Sequence, residues 1–142
     1  MSKPAHRSFA DDLRGRDDAA LAALLAGRPD LLSPVPPDIS ALAARANSTP
    51  SISRALDSLN QWELEVLELM ASLEVPVSLK DVEIYTGVPS SSVVSHLYRI
   101  CLIYKDEGAY RIPSGVRDTF GPELCGLGQR LGSRIEKIDL KN

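Results

Sequence analysis

Apolar residues recur at helical spacing in short bursts along this chain, and most bursts are bracketed by a capping residue and a stop. Ser8 can cap one or two turns that set Phe9 and Leu13 four apart on one face. Asp17 caps the stretch Asp18 to Ala26, where Leu21, Leu24 and Leu25 form a stripe, and Gly27 supplies the stop. Pro29, Pro34, Pro36 and Pro37 bar a long helix between Arg28 and Asp38, although Pro29 to Leu32 can make one turn. Asp38 then caps Ile39 to Ala46 and Asn47 ends it. Thr49, followed by Pro50, opens a further helix through Ile52, Ala55, Leu56 and Leu59.

The second half of the chain carries sharper signals. Asn60 precedes Trp62 and the apolar set Leu64, Val66, Leu67, Leu69, Met70 and Leu73, with Glu63 placed to complete a capping box. Pro76 stops that helix between Glu74 and Val77, and Ser78, with Asp81 three residues on, starts a short one that turns Leu79, Val82 and Tyr85 inward before Gly87 closes it. Val88-Pro89-Ser90 leads into a second short helix, Ser91 to about Ile100. Two short helices joined by Gly-Val-Pro-Ser have the spacing of a helix-turn-helix. Leu102 to Lys105 and Ala109 to Ile112 are β-favouring runs around Asp106-Glu107-Gly108, which reads as a three-residue hairpin loop, and a hairpin in that place is a wing. The pattern therefore predicts a mainly α fold: amino-terminal helices over 8–59 packed on a winged helix-turn-helix with a small β-hairpin over 60–120. Residues 121–142 are expected to be a tail or the start of a next domain.

Steps of about 100° per residue divide the second short helix into two faces. Val93, Val94, Leu97, Ile100 and Cys101 gather on one. Ser92, Ser95, His96 and Arg99 gather on the other, with Ser91 at its start; in a DNA-binding helix-turn-helix that face meets the major groove. Serines can bond phosphates or base edges, Arg99 can contact guanine in bidentate fashion, and His96 can donate to phosphate. Lys105 and Arg111 in the hairpin could hold the DNA backbone. The same face reads also as a solvated helix side, and many winged helices serve as protein scaffolds. Trp62 is expected in the core or as a staple, Tyr104 and Tyr110 as cross-strand packing partners, and Glu63, Glu65 and Glu68 as a solvated acidic face.

Charge narrows the partner. The 142 residues hold 16 Lys+Arg against 19 Asp+Glu, a net charge of −3, and from Asn60 to Asn142 the count is 9 against 12. Any contact with DNA must then be local, with few counterions released. No apolar run approaches the roughly 20 residues of a membrane span, and Met1 to Phe9 has no apolar signal-peptide segment, so no membrane association and a cytoplasmic location are expected. Cys101 and Cys125 with the distant His6 and His96 fall short of a zinc site, and free thiols are expected, with no metal and no cofactor. The chain has no phosphate-binding loop, no dinucleotide fingerprint, no H-E-x-x-H and no G-x-S-x-G; Gly126-Leu127-Gly128 lacks the rest of a dinucleotide motif. The expectation is a protein that is not an enzyme.

Several of these segments also resemble a known family. Arg16-Asp17-Asp18, Leu24-Leu25, Arg28-Pro29-Asp30-Leu31, the proline connector, Leu42-Ala43-Ala44-Arg45 and Ser53-Arg54-Ala55-Leu56-Asp57 look like the amino-terminal region of actinobacterial helicase-associated proteins that carry an XPB-type helicase domain. The likeness spans Ser8 to Phe120, with Phe9 where that family often has Trp. It implies a winged-helix segment ahead of further domains and a role near DNA, in repair or transcription, as a non-catalytic accessory module. Its partners would be double-stranded DNA and the remaining domains of a longer parent protein, with the glycine-rich stretch from Gly121 to Gly132 as the point where that parent continues. A protein–protein interaction scaffold on the same fold is the alternative.

Overall fold

The computed structural model describes residues 8–73 and 76–120. The elements run α1 (Phe9–Arg14), α2 (Asp18–Gly27), a 3-10 turn (Pro29–Leu32), α3 (Ile39–Ala46), α4 (Thr49–Asp57), α5 (Gln61–Ser72), α6 (Leu79–Thr86), α7 (Ser91–Arg99), β1 (Tyr104–Asp106), β2 (Ala109–Arg111) and α8 (Ser114–Phe120). The described residues are thus mainly helical, with one small antiparallel sheet. The expectations for Glu74, for Cys125, for Gly126-Leu127-Gly128 and for 121–142 lie outside the described residues.

Local chemistry sets most of the helix starts. Ser8 with Asp11, Asn60 with Glu63 and Ser78 with Asp81 form reciprocal capping boxes, while Asp17 and Asp38 accept the N–H groups of Ala20 and Ala41. Gly87 ends α6 in the left-handed region at φ 75°. The fourth helix departs from expectation by one residue. Its N-cap is Ser48, because the Ile52 N–H bonds the Ser48 carbonyl at 2.9 Å and draws Thr49 into the first turn.

The hairpin also departs from expectation. Asp106 pairs with Ala109, so the turn holds only Glu107 and Gly108, both at positive φ (51° and 82°) as a two-residue primed turn requires. The cause is the Asp106 side chain, which is buried and accepts from Arg111 Nε at 2.6 Å, keeping residue 106 in the strand. On the far side of β2, Val77 and Tyr110 exchange two backbone bonds as an isolated bridge, so the segment just before α6 lies alongside the sheet.

Two apolar clusters hold these elements. In the larger, Val66, Leu67 and Met70 of α5 meet Val82, Val94 and Leu97 from α6 and α7, together with Leu102, Ile103 and Val116. Helix α4 joins it through Ile52 and Ala55. The smaller packs Leu13, Leu24, Leu31, Leu42, Ala43 and Ala46 around Cys101. Each large aliphatic side chain withdrawn from water here contributes about 1.5–3 kcal/mol before entropy is counted. Helix α8 closes the larger cluster through Gly115, whose N–H donates to Asn47 Oδ1 at 2.7 Å; a Cβ there would overlap the Asn47 backbone oxygen.

Three side chains sit elsewhere than the pattern predicts. Trp62 is 37% exposed, since it lies in the first turn of α5 and the fully buried stripe begins only at Val66. Tyr85 is 40% exposed, since the inward line of α6 runs from Leu79 and Val82 to Thr86. Glu68 is buried with its apolar neighbours on α5, and Glu63 and Glu65 are half-buried, so these three do not form a solvated face.

Candidate nucleic-acid interface

Helix α7 is the element from which a groove-facing surface would be built, and its two faces separate as the spacing predicts. Val94, Leu97, Ile100 and Cys101 are buried and Val93 is half-buried, whereas Ser91, Ser92, Ser95 and Arg99 are exposed. The α6–α7 turn is fixed from inside. Ser90 is fully buried, its N–H donates to Glu83 Oε2 at 2.8 Å, and its hydroxyl donates to the Val88 carbonyl at 3.0 Å.

The far end of α7 is closed by backbone bonds that pass through a left-handed residue. The Cys101 N–H bonds the Tyr98 carbonyl and the Leu102 N–H reaches back to Leu97, while Cys101 itself stands at φ 61°. That is the Schellman arrangement, which usually places glycine at this position. Cys101 occupies it because its side chain completes the smaller core; burial pushes its thiol up to about 11.

Two buried arginines take the remaining carbonyls at this end. Arg16 Nη1 donates to the Arg99 carbonyl at 3.3 Å, and Arg28 Nη1 donates to that of Ile100 at 3.0 Å. Arg28, only 1% exposed, also bonds the Ala46 carbonyl at 2.8 Å and Ser51 Oγ at 2.7 Å through Nη2, so one fork ties the ends of α3 and α7 to α4. Burial lowers its pKa from the ordinary arginine value. Arg16 pairs with buried Asp12 and stacks over the Tyr98 ring at 3.9 Å. Asp12 also accepts from Tyr98 Oη at 3.3 Å and from the Lys105 N–H at 3.4 Å, which links α1 to α7 and to the hairpin.

The amino-terminal layer therefore grips the carboxyl end of α7 and leaves its serine face open. Of the seven residues expected to meet DNA, Ser91, Ser92, Ser95 and Arg99 share this open helix surface with no side-chain partner among the described residues. The other three are engaged. His96, at 33% exposure, has Nε2 3.7 Å from Glu63 Oε2 of α5. Arg111 is bound to Asp106, and the exposed Lys105 holds Nζ 4.8 Å from the Tyr98 ring centroid and 5.8 Å from that of Tyr110. The tyrosines do not face each other across the hairpin: Tyr104 lies opposite Arg111 and packs against Phe9, and Tyr110 lies opposite Lys105 and packs against Tyr98. Partial burial raises the pKa of Tyr98, Tyr104 and Tyr110.

Sequence reasoning missed Arg16 and Arg28 as organisers of the site. The available signal was an arginine wedged between the Gly27 stop and Pro29, where a solvated role gives no reason for a long cation. It also missed the exposed apolar set Ile84 (60%), Tyr85 and Val88 (45%) on α6 and the turn after it. Among the described residues no cluster of His, Cys, Asp and Glu could hold a metal ion, and no helix is long and apolar enough to cross a membrane. No protein-family model, curated protein or solved structure matches this chain.

Proposed function

We propose that α5 to β2 form a winged helix-turn-helix that contacts double-stranded DNA as a non-catalytic accessory module, with α7 as the groove-facing helix. The order helix, short bridging segment, helix, turn, helix, hairpin supports the winged reading, since Val77 lies beside β2 where a first strand of such a fold belongs. The observation that carries the DNA reading is the open face of α7, where Ser91, Ser92, Ser95 and Arg99 stay exposed although the amino-terminal helices pack on the same helix. In this reading Arg99 supplies the charged contact, the serines supply hydrogen bonds, and Lys105 leaves the tyrosine rings for a phosphate. Arg111 braces the hairpin through Asp106, a role consistent with support of the wing from within. The family resemblance adds a place beside a helicase motor in repair or transcription, with the other domains of a longer protein as partners.

With two cations at the surface, affinity falls with a log–log salt slope of about −2. Fluorescence anisotropy with a duplex at low and moderate salt tests the proposal. Binding should be present at low salt, show that slope, and weaken about tenfold in Arg99→Ala. No saturation at low salt, or an unchanged affinity in the variant, would refute it.

One observation favours a second reading as a protein scaffold. Ile84, Tyr85 and Val88 expose apolar surface beside the turn, in a chain whose net charge is negative. Capture of the parent protein's remaining domains in trans, abolished by Ile84→Asp, would select it over DNA contact.

A further inference from the structure

A cleft of about 460 Å3 opens between the 3-10 turn and α4. Arg28 and Asp30 line it from one side, Arg54 and Ser58 from the other, with Pro29 and Ala55 as apolar wall. Arg28 is almost wholly buried, yet all its partners are neutral: the carbonyls of Ile100 and Ala46 and the hydroxyl of Ser51. Its Nε has no hydrogen-bond acceptor among the described residues. The compensating carboxylate is indirect, since Asp30 reaches Arg28 through Ser51, whose Oγ donates to Asp30 Oδ2 at 2.6 Å. Arg54 is exposed and has no hydrogen bond or ion pair among the described residues.

Two guanidinium groups against one carboxylate leave the lining of the cleft one positive charge in excess. That balance suits a monoanion; a dianion would meet Asp30. The free planar fork of Arg54 matches the two oxygens of a carboxylate, and Pro29 with Ala55 offers contact to a short carbon chain behind it. We propose that this cleft binds the carboxylate of a small organic acid, held by Arg54 with the buried charge of Arg28 behind it.

The test is a titration of the isotopically labelled 142-residue chain with sodium butyrate at constant ionic strength, following backbone amide resonances. Saturable shifts confined to Gly27, Asp30, Arg54 and Ser58 are expected. Neutral butyramide should leave them in place, and inorganic phosphate should bind more weakly than butyrate. Arg54 is exposed, so Arg54→Ala should keep the remaining spectrum while weakening butyrate about tenfold, as loss of a charged bidentate pair does. Shifts that fail to saturate, that spread over the surface, or that chloride reproduces would overturn the proposal. So would an undiminished affinity in Arg54→Ala, or phosphate binding as tight as butyrate.

Discussion

Replacing Arg28 by methionine keeps an unbranched side chain while removing the guanidinium donors from the junction of α3, α4 and α7. Three bonds disappear, to the Ile100 carbonyl, the Ala46 carbonyl and Ser51 Oγ. Each bond from a charged donor contributes about 1.5–3 kcal/mol. Both carbonyls belong to helix ends, where the helix itself supplies no partner, and burial denies them water. Against this stands one relief, because methionine need not be desolvated as a guanidinium must. Three neutral acceptors left short of a partner at about 1–3 kcal/mol each, offset in part by that relief, put the loss at about 3–5 kcal/mol. That is a large fraction of the 5–15 kcal/mol that holds a domain together.

Lysine at the same position distinguishes charge from geometry. Its single ammonium can reach one carbonyl, not the fork of acceptors, so Arg28→Lys should retain the positive charge and lose about 2 kcal/mol. Urea unfolding followed by far-ultraviolet circular dichroism reads both variants. With slopes of about 1–3 kcal/mol per molar urea, the methionine variant should unfold roughly 2 M earlier than the parent and the lysine variant between them. If Arg28→Met unfolds within 0.5 M of the parent, a value of about 1 kcal/mol or less, the fork is dispensable and the reasoning fails.

Two further outcomes follow from backbone and burial. Glu107 occupies the left-handed region at φ 51° in a turn that favours Asn-Gly, so Glu107→Asn should stabilise the chain by about 0.5–1 kcal/mol in thermal unfolding, and a lower melting temperature would contradict the turn assignment. Cys101 titrates near 9 when unfolded and is pushed up to about 11 in the folded chain, so the stability linked to it is fully present below pH 9 and lost as pH rises toward 11; the parent should lose on the order of 2 kcal/mol more than Cys101→Ala across that window, and equal losses would refute it.

The helix starts were legible because their causes are local. Ser8 and Asp11, Asn60 and Glu63, Ser78 and Asp81 stand three residues apart, and a capping box closes without help from the rest of the fold. The division of α7 was legible for the same reason, as a consequence of helical period. What escaped depends on groups remote in sequence. Arg28 and Ile100 are separated by 72 positions and Tyr98 and Asp12 by 86, and no periodicity marks such pairs. The two-residue turn escaped because an ion pair, Asp106 with Arg111, decides the register where turn propensity allows either length. Trp62 escaped because hydrophobic spacing says which side of α5 faces inward and says nothing of where along its axis full burial begins.

The arginine contacts have a consequence for what can approach α7. At its carboxyl end the acceptors are spent: Leu97 and Tyr98 on Leu102 and Cys101, Arg99 on Arg16, Ile100 on Arg28. At its amino end no side chain caps the helix, and the first three N–H groups, of Ser91, Ser92 and Val93, have no acceptor among the described residues. The open part of the helix is thus its donor end, carrying the positive pole of the dipole and three hydroxyls, with Arg99 farther along the same surface. A partner seated there must supply acceptors, and phosphate supplies them more densely than a protein surface does. This asymmetry ranks DNA contact above the scaffold reading despite the negative charge of the chain.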